Sequence, residues 1–206
     1  MSDSTMAETP DDSTVNPGRR KFLVAATAAM GAVGAVGVAT PFVGSWNPSA
    51  KAKAAGAPVR VDVSKVRAGE QIRAEWRGKP VFVLRRTEAN LASLDALVDT
   101  VADPMSAKEQ QPSYVDKKTR SIKPEVFITV GICTHLGCSP QFRPEVGPAD
   151  LGADWQGGYF CPCHGSKFDL AGRVFKAVPA PLNLVVPPHR YETDAIVVIG
   201  EDEGVA

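Results

Sequence analysis

The chain reads as an all-β protein preceded by one transmembrane helix. Glycine and proline number 18 and 17 in 206 residues, a density that suits a loop-rich β protein. Short valine and isoleucine runs alternate with polar residues, as in Val59-Arg60-Val61-Asp62-Val63, the period of a strand with one buried face. Phe22 to Ala50 holds no ionisable side chain. The length allows one modest domain with accessories. Charge is balanced, 23 basic residues against 23 acidic, so there is no electrostatic footprint for nucleic acid.

Residues 1–21 read as a polar tail ending in an export signal. Asp, Ser, Thr and Pro dominate up to Gly18, without apolar periodicity, which marks disorder. Gly18-Arg19-Arg20-Lys21-Phe22-Leu23 then places paired arginines before a charge-free run, as in a twin-arginine signal. Residues 22–46 form the expected anchor in membrane lipid. As a helix they span about 37 Å, against a hydrocarbon core of about 30 Å. Gly31, Gly34 and Gly37 recur at three-residue intervals, and small residues let helices approach closely in a membrane. A cleaved signal peptide is the alternative, since Ala50-Lys51-Ala52 and Ala52-Lys53-Ala54 fit a small-x-small cleavage pattern. The length of the span favours a retained anchor. Arg19, Arg20 and Lys21 are expected to stay cytoplasmic, with everything C-terminal of the anchor across the bacterial inner membrane. Residues 47–58 are small, polar and Ala-rich, and read as a flexible neck.

The head occupies 59–206. Val59 to Val63, Gln71 to Trp76 and Pro80 to Leu84 are expected strands, the last two joined by a turn at Arg77-Gly78-Lys79. Thr87 is the expected N-cap of a helix from Glu88 to Leu97, with Leu91, Leu94 and Leu97 on the core. The polar stretch 99–124, with Pro104, Pro112 and Pro124, reads as a long surface excursion. Glu125 to Val130 and Gly158 to Phe160 are strands, and Lys167 to Phe175 is a hairpin turning at Leu170-Ala171-Gly172-Arg173. Leu184 to Val186 and Ala195 to Ile199 complete the sheets. His189, between Pro188 and Arg190, reads as an exposed loop residue without a role.

The chemistry concentrates in two boxes, Cys133-Thr134-His135-Leu136-Gly137-Cys138 and Cys161-Pro162-Cys163-His164-Gly165-Ser166. They hold all four cysteines and two of the three histidines. Each offers a Cys and a His at close spacing, so two thiolates and two imidazoles can share a metal. A Cys2His2 zinc site is one reading, and cysteines that form only disulfides are another. Against both stand the mixed Cys/His arms and the extra cysteine in each box. Gly137, Pro162 and Gly165 also indicate tight loops in place of a zinc-finger helix. A [2Fe–2S] cluster with two histidines on one iron accounts for the whole set.

C-T-H-L-G-C followed by C-P-C-H-G-S resembles the Rieske iron–sulfur proteins of the cytochrome bc1 family, and the resemblance extends to the anchor and the signal. It implies a head of stacked antiparallel sheets with a cluster-binding subdomain at about 131–182. It implies that Cys133 and Cys161 bind one iron of the [2Fe–2S] cluster, that His135 and His164 bind the other, and that Cys138 and Cys163 form a disulfide. Related oxygenases and ferredoxins usually lack that cysteine pair, so its presence selects the high-potential branch. A disulfide also needs an oxidising compartment, which agrees with an exported head.

The resemblance further implies an uncleaved anchor and a neck that lets the head swing between two docking sites. His164 would accept a hydrogen bond and a proton from quinol bound at cytochrome b, and the electron would pass to cytochrome c1. Leu136, Pro179 and Pro181 would form an apolar rim around the ligands, and Ser166 would donate a hydrogen bond to a bridging sulfide. The tyrosine that usually follows two residues later is Phe168 here, which implies a lower potential than in tyrosine-bearing relatives. Two other functions stay open at this point. One is the small Rieske subunit of arsenite oxidase. The other is a zinc-stabilised interaction module on the cell surface.

Overall fold

The computed structural model describes residues 16–50, 52 and 56–202. The expected tail up to residue 15 and parts of the neck lie outside them, as do Lys51 and Lys53 of the two cleavage patterns. The chain divides into two compact units, Met1–Ala50 and Lys51–Ala206.

In the first unit a single helix, α1, runs from Pro17 to Ser45. It starts five residues earlier than expected, because the Asn16 side chain accepts hydrogen bonds from the backbone N–H of Gly18 (3.0 Å) and Arg19 (3.2 Å). Pro17 lacks the N–H that a first turn would leave unpaired anyway. Arg19, Arg20 and Lys21 therefore belong to the helix. None of its side chains is buried. Its 29 residues extend about 43 Å, long and apolar enough to cross a membrane.

The second unit holds three three-stranded antiparallel sheets. β1 (Val59–Asp62) pairs with β9 (Ile196–Ile199), which also pairs with β8 (His189–Tyr191). β2 (Gln71–Trp76), β3 (Lys79–Arg85) and β4 (Val126–Val130) form the second sheet in that order. β5 (Gln141–Arg143), β6 (Gly158–Cys161) and β7 (Ser166–Phe168) form the third.

The middle sheet separates two cores, and β3 explains how. Val81 and Val83 pack with Val61, Trp76, Ile128, Val197 and Ile199 toward the first sheet. Phe82 and Leu84 pack with Phe127, Tyr159, Phe168 and Leu170 toward the third. Successive side chains of a strand point to opposite faces, so the unbroken run Val81-Phe82-Val83-Leu84 is the signature of a strand covered on both sides. A short helix, α2 (Glu88–Ala96), follows with the expected Thr87 cap. Thr87 and Asn90 exchange reciprocal hydrogen bonds of 3.0 and 3.1 Å, and Leu94 and Leu97 are buried.

Four expectations change. The stretch 99–124 is no simple surface excursion. Val101, Ser106, Val115, Arg120 and Ser121 are buried, and the Arg120 guanidinium is fully enclosed. It donates to the carbonyls of Ala171, Gly172, Gln110 and Leu184 and to Gln111 Oε1, so the loop is pinned by a cation at its centre. Leu184 to Val186 is not a strand. Its backbone bonds are shared among Gly172, Val130 and Gln110, three different elements, and no ladder forms. β5 adds a strand between the boxes, where Gly158 to Phe160 was the one strand expected.

His189, finally, is buried in β8. Its backbone N–H and C=O both engage the Tyr114 hydroxyl (2.9 and 3.0 Å). Its Nδ1 lies 2.8 Å from the Pro187 carbonyl, which can only accept, so Nδ1 carries the proton. Burial pulls this imidazole below its ordinary 6.5. Because the folded state disfavours the charged ring, the His189 contribution is whole above the unfolded value and is lost as pH falls toward the depressed folded value. In His189→Gln, the loss of unfolding free energy between about pH 7.5 and about pH 5 should be smaller than in the parent chain. Denaturant titrations of the two at several pH values measure it.

Candidate metal centre

Both boxes are loops that leave a strand or its extension and close by the same turn. In the first, the Gly137 N–H donates to the Cys133 carbonyl at 3.1 Å; in the second, the Gly165 N–H donates to the Cys161 carbonyl at 2.9 Å. Gly137 and Gly165 have φ of 86° and 76°, a left-handed conformation that costs a side-chain-bearing residue about 1 kcal/mol or more. The glycines are therefore local requirements of the turn. β6 and β7 flank the second loop, with Cys161 opposite Ser166. The first loop extends from β4 and is closed further by the Cys133 N–H donating to the Cys138 carbonyl at 2.7 Å.

The two loops face each other and are covalently joined by a Cys138–Cys163 disulfide. Cys133 and Cys161 are free and buried. The Cys161 sulfur lies within 4.8 Å of both disulfide sulfurs, but those two are already bonded and carry no thiolate for a metal. The usable sulfur donors are Cys133 and Cys161. Burial pushes the Cys133 thiol up, while the His135 backbone N–H and the Ser166 hydroxyl oppose that rise. A metal bound there must displace this proton.

The imidazoles of His135 and His164 meet edge to face with ring centres 4.7 Å apart. His164 is exposed and His135 half-buried. His135 Nδ1 is buried without a hydrogen-bond partner, and an unpaired buried ring nitrogen is costly unless something coordinates it. Two free thiols and two paired imidazoles, one with an orphaned inward nitrogen, suit a mixed S/N iron–sulfur centre in donor type and number. Backbone at this site is irregular, yet each wall is tied to another.

The third wall is Pro179-Ala180-Pro181. The Ala180 N–H donates to Ser166 Oγ at 3.1 Å, which leaves the Ser166 hydroxyl proton free to turn toward the thiols. Thr134 Oγ1 donates to the Leu182 carbonyl at 2.6 Å. The proline segment is thus bonded to both loops. Pro179 and Pro181 are exposed on either side of buried Ala180. Leu136 is 71% exposed between His135 and Gly137. Phe168 is fully buried in the same core as Cys133 and Cys161. Its cross-strand partner Tyr159 packs against Phe142 and Phe82 (centroids 5.7 Å in each case). Tyr159 and Phe142 were missed as neighbours of the site. Only the β5–β6–β7 pairing reveals them, and the three-residue β5 has too short a pattern to announce it.

The Rieske [2Fe-2S] domain model matches residues 58–188. The model described as Ubiquitinol-cytochrome C reductase Fe-S subunit TAT signal matches residues 9–49. The ubiquinol-cytochrome c reductase iron-sulfur subunit of Allochromatium vinosum is 58% identical, over 93% of this chain and 93% of that one. The corresponding subunit of Blastochloris viridis is 42% identical, over 91% of this chain and 95% of that one. A solved chain of a hyperthermophilic respiratory Complex III aligns at 26% identity and a TM-score of 0.47, covering 85% of this chain and 99% of that chain.

The disulfide is the only covalent tie between the loops among the described residues. Cys138→Ser and Cys163→Ser should each loosen the site and lower thermal stability by about 2–4 kcal/mol. The double variant should cost little more than either single one. Melting curves of the three variants check this.

Proposed function

Because the chain belongs to the Rieske iron–sulfur subunits of ubiquinol–cytochrome c reductase, we propose that Cys133 and Cys161 hold one iron of its [2Fe–2S] cluster and that His135 and His164 hold the other. The observation that carries this assignment is the buried thiol pair beside the imidazole pair, with His135 Nδ1 left unpaired. The chain is thereby a subunit of an oxidoreductase complex, and the zinc-module and arsenite-oxidase readings fall away. When bound, the cluster supplies one-electron transfer at a raised potential, because two neutral imidazoles stand where ferredoxins have thiolates.

The remaining work is done by side chains. His164, exposed at the tip, accepts a hydrogen bond from the quinol hydroxyl and takes its proton on the ring nitrogen that faces outward. Leu136, Pro179 and Pro181, all exposed, supply apolar surface that excludes water when the head docks on cytochrome b. Stiff proline backbone keeps the rim from collapsing over the imidazoles. Ser166, fixed through the Ala180 N–H, directs its hydroxyl at the sulfur side of the site, where a hydrogen bond favours added negative charge. The head then presents the same tip to cytochrome c1. Arg19, Arg20 and Lys21 hold the start of α1 on the cytoplasmic side, and the head lies in the periplasm, where a disulfide persists.

Two measurements test this. His164→Ala should abolish both the cluster EPR signal and quinol oxidation in membranes; retention of either would overturn the ligand assignment. Phe168→Tyr places a hydroxyl in the core shared with Cys133 and Cys161. It should raise the electron affinity by roughly 1 kcal/mol, read as an upward shift in a redox titration.

A further inference from the structure

Behind the second loop lies a group of charges that the function above leaves unused. Arg86, Arg120 and Arg173 are buried together with one carboxylate, Asp169. All four converge on the turn that leaves β7. Asp169 accepts from Arg173 Nε (2.6 Å) and from the backbone N–H groups of Ala171 (2.9 Å) and Arg173 (2.8 Å). Arg86 Nη1 donates to the Leu170 carbonyl at 3.3 Å, and Arg120 Nη1 donates to the carbonyls of Ala171 (3.0 Å) and Gly172 (3.2 Å). The carbonyls of Leu170, Ala171 and Gly172 are thus each held by a guanidinium.

The other partners of these cations are dipoles. Arg86 also reaches the carbonyls of Pro124 and Thr119 and the Ser121 hydroxyl. Arg173 reaches those of Leu94 and Pro104. Dipoles satisfy hydrogen bonds but do not cancel charge. Burial lowers Arg86 and Arg120 to about 10, so both stay protonated at neutral pH. Glu125 acts on Arg86 and Asp103 on Arg120, but Glu125 is exposed and Asp103 half-exposed, where solvent screens them. Three enclosed cations therefore face one enclosed anion in a medium that screens poorly.

The position of this array matters. Asp169 directly follows β7, whose first residue is Ser166, about 10 Å away along an extended strand. Tyr159, opposite Phe168 and two residues before Cys161, feels both Arg86 and Asp169 from a fully buried hydroxyl. The array thus backs both ends of the second loop.

We propose that Arg86, Arg120 and Arg173, overbalancing Asp169, form a buried positive field that raises the electron affinity of the cluster site from behind β7. The inference rests on the ligand assignment above. An added electron is a negative charge, and over about 10 Å, the length of β7, at an effective dielectric of about 20, one unscreened cation favours it by about tenfold. The field acts where Phe168 offers no hydroxyl, so charge does part of what a hydrogen bond would do.

The test is a redox titration, followed by EPR and circular dichroism, of the full chain within its complex in native membranes. Arg120→Gln and Arg86→Gln should each lower electron affinity about tenfold. Arg120→Lys should keep the parent value, and Asp169→Asn should raise it. Arg60→Gln, at the exposed Arg60–Glu192 pair, should leave it unmoved. A merely structural role predicts no opposite signs for removing a cation and removing an anion. The proposal is overturned if the glutamine variants keep the cluster spectrum and the parent potential. It is equally overturned if Arg120→Lys shifts as far as Arg120→Gln. Should the arginine variants fail to fold, Asp169→Asn decides: a rise supports the field, and no change or a fall refutes it. A parent chain without a Rieske-type EPR signal would refute the ligand assignment instead.

Discussion

Two irregular loops can make one site only if something fixes their separation, and here the Cys138–Cys163 bond does so. The first loop hangs from the middle sheet and the second from the third sheet, so no hydrogen-bond ladder joins them. Hydrogen bonds from Thr134 and to Ser166 add a second tie through the proline segment. The covalent link brings the loops together, the noncovalent ones orient them, and the tip can stay exposed without being loose. That combination keeps the side chains of an exposed site in one arrangement.

Much of this was legible in the sequence because the decisive signals are local. Both boxes, the Thr87 cap and the turn at Arg77-Gly78 declare themselves within a few residues. The apolar run Val81 to Leu84 announces a strand, although only the fold shows that its two faces serve different cores. What stayed hidden depends on partners far along the chain. His189 lies between prolines and an arginine and looks like loop; its burial comes from pairing with Ile199 and from Tyr114, 75 residues away. Leu184 to Val186 has the composition of a strand, yet its backbone is claimed by three separate elements.

The arginines were hidden for a different reason. A guanidinium in a polar, proline-punctuated stretch reads as solvent-facing, and in most proteins that expectation is sound. Arg120 departs from it by accumulating carbonyl acceptors, its six bonds going to five groups that no local pattern identifies. The Asp169–Arg173 pair does carry a faint signal, opposite charges four apart around Gly172. The cost of burying such groups is offset by hydrogen bonds to their donors, and the turn after β7 shares that task with acceptors at Leu94, Pro104, Gln110, Thr119, Ser121, Pro124 and Leu184.

The two-sided burial of β3 sets where the chain can change length. Inserting one residue into that strand would turn Val81 and Val83 toward the aromatic core and Phe82 toward the valine core, scrambling both at once. Glu145, Val146 and Gly147, in the loop just after β5, face no such restriction, since all three are exposed, unlike Leu151 and Trp155 further along. Natural insertions and deletions, and any engineered tag or label site, belong in that loop; β3 should keep a constant length wherever this architecture recurs.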